Sequence, residues 1–178
     1  MPTNNVSETI PPISLKLRNT TLFLVRHADT PPGVNPHLNA AGQVRANELV
    51  RVLGLTGIVE IYATEFFRTQ ETAQALASHL GLAIKVMEAD PADVAQDIRA
   101  HHLGHKVLIV GHSNTIPEII SQFGGPAVPA IAPTEFDRLF VATMTQLRRA
   151  TIEVASAVVK IPEQGTFTLL PLKYGAVN

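Results

Sequence analysis

The 178-residue chain carries a formal net charge of −1, is 46% hydrophobic with few aromatic residues, and contains neither tryptophan nor cysteine. This length suits one ordinary domain with a buried core, and the charge argues against a nucleic-acid partner or an anionic membrane. The lack of cysteine excludes disulfides, thiolate catalysis and cysteine-based zinc sites.

The first twenty residues, Met1 to Thr20, form a polar segment that contains prolines. They lack the basic and apolar regions of an intact secretory signal, and no apolar run in the chain approaches the length of a transmembrane helix. We therefore expect an arm over residues 1–20, a single domain over residues 21–178 and no membrane partner. A cytoplasmic location is the default expectation, and an exported protein is the alternative if the arm is the remnant of a leader.

Two segments share a pattern in which a short apolar run is followed by a histidine. Residues 21–25 lead to Arg26 and His27, and residues 106–110 lead to Gly111 and His112. Apolar runs of this length are typical of strands buried on both faces, as in a parallel sheet. Ligands of such sheets bind beyond the carboxyl ends of the strands, where both histidines are expected.

Helices and strands alternate along the rest of the chain. Helical periodicity predicts helices over residues 40–53, 65–80, 91–102 and 115–123. Strand signals lie at residues 58–62, 83–87, 138–143 and 165–170. Asn39 and the Asp90-Pro91 pair are expected to begin helices, and Gly81 to end one. This alternation predicts an α/β fold, a three-layer α/β/α sandwich with a mostly parallel central sheet and room for antiparallel strands late in the chain.

Each candidate site residue has an ordinary explanation when it is taken alone. Arg26 and His27 are explained as a structural arginine and a surface histidine at the start of a loop. His112 is explained as a histidine beside a helix cap. Arg68 is explained as a solvent-exposed surface arginine, although a basic residue in the first turn of a helix is unfavourable unless an anion binds there. Three strand-end loops of one parallel sheet would bring all four groups together.

These four groups together favour phosphoryl transfer. Arginine forks match phosphate oxygens, and two of them offset the charge of a dianion. A neutral imidazole can act as the nucleophile, and a second histidine can stabilise the group in transfer. A metal-binding interpretation of His101, His102 and His105 with His112 is weaker. These histidines lie at opposite ends of a predicted strand, and no carboxylates complete a ligand set.

Four segments then resemble one family, in the order in which that family has them. They are LVRHAD at residues 24–29, LNAAG at 38–42, TEFFRTQETA at 64–73 and VGHSN at 110–114. The chain resembles the histidine phosphatase superfamily, which includes cofactor-dependent phosphoglycerate mutases and small phosphohistidine phosphatases. The resemblance extends over roughly residues 21–125 and implies a phosphoglycerate mutase-like fold of the small single-domain branch.

The resemblance also implies roles for individual residues. His27 is the nucleophile that forms a covalent phosphohistidine, and Arg26, Arg68 and His112 complete the phosphate pocket. Ser113 stands where mutase-like members often have glycine, so its backbone N–H is a candidate phosphate donor. The implied substrate is a small phosphorylated molecule or a phosphoprotein, with no cofactor and no metal.

The chain departs from the family pattern at the proton donor. Acid phosphatases have an aspartate directly after the second histidine, where this chain has Ser113, and the insertion that carries a glutamate in mutases is missing. By position Glu88 is the expected donor, ahead of Asp90 and Asp29. A weak acid would favour substrates with good leaving groups, and the small size argues for an open pocket and against an efficient mutase.

The leading hypothesis is a metal-independent hydrolase of phosphomonoesters or phosphohistidine. The alternative is a phospho-ligand binding protein that keeps the phosphate pocket but turns over weakly, and a histidine-rich metal-binding module is a third hypothesis. The sequence leaves the substrate and the oligomeric state open.

Overall fold

A computed structural model describes residues 17–147, 151–154, 157–160 and 165–175. Strands and helices alternate over the first part of the chain, in the order β1 (Leu17–Arg26), α1 (Ala40–Leu53), β2 (Glu60–Thr64), α2 (Phe67–Leu80), β3 (Ile84–Met87), α3 (Pro91–His101), β4 (Lys106–Gly111) and α4 (Thr115–Gln122). Strands then follow one another as β5 (Arg138–Leu147), β6 (Thr151–Val154), β7 (Ala157–Lys160) and β8 (Gly165–Lys173).

The central sheet has six strands in the order β3-β2-β4-β1-β5-β8. The first four strands in this order run parallel to one another, whereas β5 runs antiparallel to both β1 and β8. The predicted fold, a mostly parallel sheet with antiparallel strands added late, is confirmed. The separate hairpin of β6 and β7 was not predicted.

Successive residues of β1 face the two sides of the sheet, which places helices in two outer layers. Leu22 and Leu24 are fully buried in a core that they share with α3 and α4. Phe23 and Val25 pack in a second core with α1 and α2. Full burial of one such side chain contributes about 1.5–3 kcal/mol, so β1 is anchored from both faces and its carboxyl end is held firmly.

The helix ends follow the local signals in the sequence. The side chain of Asn39 accepts a hydrogen bond from the backbone N–H of Gly42 and begins α1, and Asp90 caps α3 in the same way. Gly81 ends α2 in the left-handed conformation, with φ of 67°. These three predictions agree with the structure.

Several strand boundaries differ from the prediction, and two of them bear on the site. β1 begins at Leu17, four residues into the expected arm, because its early residues pair with β5. β2 runs to Thr64, two residues further than predicted, since Ala63 and Thr64 still pair with β3. The later end of β2 matters because it brings the side chain of Thr64 to the edge of the sheet where β1 and β4 also end.

Candidate active site

The turn after β1 carries His27, and three neighbouring elements hold it in place. The backbone N–H of His27 donates to the carbonyl of Gly111 at the end of β4, at 2.9 Å. The N–H of Ala28 donates to the hydroxyl of Thr72 on α2, at 2.8 Å. The carbonyl of Asp29 accepts from the N–H of Asn39 at the start of α1. The backbone that carries His27 is therefore fixed relative to the sheet and two helices.

Arg26 is held by a segment far away in the sequence. Its Nη1 donates to the carbonyl oxygens of Ala132, Pro133 and Glu135 at 2.9, 2.9 and 3.1 Å. The ring of Phe136 lies under the guanidinium carbon at 4.1 Å. The Nε atom of Arg26, in contrast, is buried and has no partner. A buried unpaired donor is costly, so Arg26 keeps hydrogen-bonding capacity that its three carbonyl contacts do not use.

Arg68 lies in the first turn of α2, as the sequence predicts. Its guanidinium stacks on the ring of Phe66 at 4.4 Å, and its Nη1 donates to the carbonyl of Val34 at 3.3 Å. Its Nη2 atom lies 3.5 Å from Nδ1 of His112. These contacts aim the cation at the space between α2 and the turn after β4.

His112 follows β4 and faces His27, with 5.5 Å between the centres of the two rings. Its backbone N–H donates to the hydroxyl of Thr115 at 2.9 Å. The hydroxyl of Thr115 thus holds the turn that carries His112, whereas the side chain of Asn114 makes no capping bond to α4. The Nε2 atom of His112 lies 3.0 Å from the hydroxyl oxygen of Thr64.

Both histidines are neutral at physiological pH. Burial, followed by the charges of Arg26 and Arg68, lowers the pKa of His27 to about 4 despite its bond to the Ala28 carbonyl. Burial and then Arg68 lower the pKa of His112 to about 3. Because a carbonyl can only accept, the 2.9 Å contact between Nδ1 of His27 and the oxygen of Ala28 places the ring proton on Nδ1. The free lone pair of His27 is then on Nε2.

One open cavity of about 530 Å³ collects these groups. Arg26, His27, Arg68, His112 and Ser113 all line it, so the structure brings together the residues predicted to bind phosphate. Sequence reasoning missed the rest of the wall, which consists largely of prolines and one aromatic ring. These additional residues are Thr30, Pro31, Pro32, Gly33, Pro36, Asn114, Pro133 and Phe136.

None of the expected proton donors lines this cavity. Glu88 is exposed and lines a separate small cavity near the start of α3, together with Asp90. The carboxylate of Asp29 is paired with Arg45 at 2.6 Å. The structure therefore does not bring Glu88 to the four groups, because Glu88 follows β3, which β2 and β4 separate from β1. Among the described residues, the lining of the cavity includes no aspartate or glutamate.

The remaining histidines lie elsewhere. His101 and His102 face the carboxylates of Asp97 and Glu60, respectively. Across the described ranges, no three histidine, aspartate or glutamate side chains are grouped so that they could hold a metal ion. Within the same ranges, no helix has both the length and the apolar character needed to cross a membrane.

The arrangement of two arginines and two histidines at the ends of parallel strands agrees with a family comparison. Residues 22–89 match the histidine phosphatase superfamily (branch 1). The match covers three of the four motifs and supports the resemblance inferred from them. The matched region contains Arg26, His27 and Arg68, whereas His112 lies beyond it. A comparison with curated proteins gave no match.

Solved structures of histidine phosphatases share the fold. A mycobacterial glucosyl-3-phosphoglycerate phosphatase aligns with a TM-score of 0.58 and 16% identity, over 72% of this chain and 91% of that one. A putative phosphohistidine phosphatase SixA from Nakamurella multipartitia aligns with a TM-score of 0.52 and 16% identity, over 82% of this chain and 95% of that one. YhfR of Bacillus stearothermophilus aligns with a TM-score of 0.56 and 19% identity, over 70% of this chain and 90% of that one. At these identities the likeness establishes the phosphoglycerate mutase-like fold.

Proposed function

We propose that this protein is a metal-independent phosphohydrolase that acts on a phosphomonoester or on phosphohistidine through a covalent phosphohistidine on His27. The observation that carries the proposal is an open cavity lined by Arg26, Arg68 and two neutral histidines. The match to the histidine phosphatase superfamily supports it.

The cationic groups are suited to hold the phosphoryl group. Arg26 lines the cavity and is kept rigid by three carbonyl oxygens that accept from its Nη1. Arg68 adds a second positive charge, and the backbone N–H of Ser113 is a further candidate donor. Two fixed guanidinium groups and a nearby N–H would stabilise the charge on the equatorial oxygens during transfer.

His27 is suited to attack phosphorus. Its Nε2 lone pair is free at neutral pH, since Nδ1 carries the proton that bonds to Ala28. In the first step a bond forms between Nε2 and phosphorus while the bond from phosphorus to the leaving atom breaks. In the second step water attacks phosphorus, and the bond to Nε2 breaks to release inorganic phosphate. The carbonyl of Ala28 stabilises the positive ring of the intermediate throughout.

The test is hydrolysis of a generic aryl phosphate in the presence of a chelator, with a search for acid-labile phosphate on the protein. We expect turnover and a labelled wild-type protein, and neither with His27→Ala. His101→Ala, which changes an exposed histidine outside the cavity, is the matched control and keeps both. Full activity in His27→Ala would exclude the mechanism.

The cavity also limits the choice of substrate. It is open, its lining includes prolines and Phe136, and no carboxylate in its described lining can protonate a poor leaving group. Phosphohistidine and aryl phosphates should therefore react faster than sugar phosphates or nucleotides. A panel of these four classes, compared by kcat/KM, tests this order.

The missing carboxylate also favours a second candidate function, a phospho-ligand binding protein that turns over weakly. Measured binding of inorganic phosphate together with no turnover across the same panel would support this function over the hydrolase.

A further inference from the structure

A chain of three hydrogen-bonding side chains runs from His112 into the buried interior beside the cavity. The Nε2 atom of His112 lies 3.0 Å from the hydroxyl oxygen of Thr64, and that oxygen lies 2.8 Å from the hydroxyl of Thr69. Thr69 ends the chain at two backbone carbonyls, those of Phe66 at 2.8 Å and Thr64 at 3.1 Å. All three side chains are buried, and Thr69 is fully so.

The two carbonyl acceptors at the end of this chain of side chains determine which atom donates in each hydrogen bond. A carbonyl oxygen can only accept, so the single hydroxyl proton of Thr69 goes to the backbone. The oxygen of Thr69 must then accept the proton of the Thr64 hydroxyl. The oxygen of Thr64 in turn is left to accept the proton on Nε2 of His112. The reverse direction would set the oxygen of Thr69 and that of Phe66 against each other at 2.8 Å with no proton between them.

The contact on the other side of the His112 ring independently indicates the same position of the ring proton. Nη2 of Arg68 lies 3.5 Å from Nδ1 of His112, and a guanidinium nitrogen only donates. Nδ1 must therefore present its lone pair. Both neighbours of the ring specify a proton on Nε2 and a free Nδ1, on the side shared with Arg68.

We propose that Thr64 is a positioning residue: its hydroxyl accepts the Nε2 proton of His112 and so keeps Nδ1 as the nitrogen that exchanges a proton with the substrate. The catalytic part of this role rests on the proposed hydrolysis. There the monoanion of the ester brings a proton to Nδ1. When the bond between phosphorus and the leaving oxygen breaks, its electron pair stays on that oxygen, which takes the proton from Nδ1. In the second step the attacking water returns a proton to Nδ1.

This role gives the cavity a proton carrier, although no carboxylate is found in its described lining. The charged or titratable groups that face His112 are Arg68, His27 and Arg26, and all three oppose its protonation in the empty cavity. A phosphoryl dianion reverses that balance. The protonated ring then donates from both nitrogens, and the hydroxyl of Thr64 stabilises the cation because bonds from charged donors are the stronger ones.

The experiment compares Thr64→Val, which removes the hydroxyl at nearly constant shape, with Thr64→Ser, which keeps it. Nitrogen NMR of ¹⁵N-histidine protein, without substrate at pH 7, should show the proton of His112 on Nε2. The Nε2–H signal should lose its hydrogen-bonded shift in Thr64→Val and recover it in Thr64→Ser. With inorganic phosphate bound, the pKa of His112 should be lower in Thr64→Val than in the wild type. Thermal melting identifies any variant that fails to fold.

On an aryl phosphate, Thr64→Val should lower kcat by roughly 10- to 100-fold with little change in KM, because proton transfer and not binding is impaired. Thr64→Ser should stay within about threefold of the wild type. A proton on Nδ1 in the wild type, or a folded Thr64→Val with unchanged kcat and an unchanged pKa in the phosphate complex, would overturn the proposal. A wild-type protein with the Nε2–H bond but no turnover would support the assigned tautomer and overturn the hydrolase instead.

Discussion

Arg45 on α1 and Asp29, two residues after His27, form a largely buried ion pair, with Nε of the arginine 2.6 Å from a carboxylate oxygen. The same arginine donates through Nη1 to the carbonyl oxygens of Tyr174 and Gly175 at 3.2 and 2.7 Å. The turn that carries the proposed nucleophile is thereby tied both to a helix and to the segment after β8.

Arg45→Met should lower the free energy of unfolding by about 3 kcal/mol, because it leaves the carboxylate of Asp29 buried without its partner. Urea denaturation measures the loss. The matched control is Arg51→Met on the same helix, where the ion pair with Glu48 is more exposed. That substitution should change stability by less than about 1 kcal/mol. Equal losses at the two positions would contradict the structural role of Arg45.

Gly42→Ala should destabilise the protein even though alanine is the better helix former. An added Cβ would lie 2.2 Å from the carbonyl oxygen of Asp29, which is backbone and cannot rotate away. We expect a loss of about 1–3 kcal/mol in a denaturation experiment, as for other overpacked sites. Ala41→Ser, at the exposed neighbouring position, should have only a small effect. A gain in stability with Gly42→Ala would show that the turn after His27 moves easily.

The two buried histidines predict how stability depends on pH. Their folded-state pKa values, about 4 and about 3, lie below the ordinary value of 6.5. The unfolded chain therefore binds more protons below pH 6.5, and the free energy of unfolding should fall as the pH drops from 6.5 towards 4. The two histidines together should account for a few kcal/mol of this decrease.

Denaturation at several pH values, compared with the double variant His27→Gln/His112→Gln, isolates that contribution from the carboxylates. The free energy of unfolding of the wild type, minus that of the double variant, should decrease as the pH falls through this window. A difference that is constant with pH would mean that the histidines are not neutralised by burial.

Arg26→Lys should reduce kcat/KM on an aryl phosphate by roughly 100-fold, although the charge is kept. A lysine ammonium is a single point charge and cannot bind the three carbonyl oxygens while presenting a second donor to the anion. Arg99→Lys is the control, since Arg99 is exposed, does not line the cavity and bonds to the carbonyl of Gln122. Comparable activity in the two variants would contradict the role of Arg26.

The strand-to-histidine pattern could be recognised from the sequence because it depends on local features. Apolar runs predict buried strands, and the order of β1, β2 and β4 in a parallel sheet brings their carboxyl ends to one edge. Asn39, Gly81 and Asp90 signalled helix ends through their own backbone preferences. Arg68 could be placed because helix periodicity located the first turn of α2.

The contacts that complete the site join residues far apart in sequence, and no local pattern predicts them. Arg26 and its carbonyl partners are more than a hundred residues apart. Glu88 was chosen for its position after the third strand, but β3 lies at the edge of the sheet and not next to β1. The role of Thr64 was missed because the prediction ended β2 two residues too early.

Because β5 runs against its neighbour β1, the residues just before it return to the edge of the sheet where β1 ends. The segment that supplies Pro133 and Phe136 to the cavity lining thus also provides the carbonyl oxygens that hold Arg26. In the proposed hydrolase, these few residues therefore affect both the substrate preference and the position of Arg26. Exchanging this loop to change the preference of the proposed hydrolase would weaken its activity unless the carbonyl contacts to Arg26 were rebuilt. Changes to the proline turn at residues 31–36, which also lines the cavity, leave these carbonyl contacts to Arg26 in place.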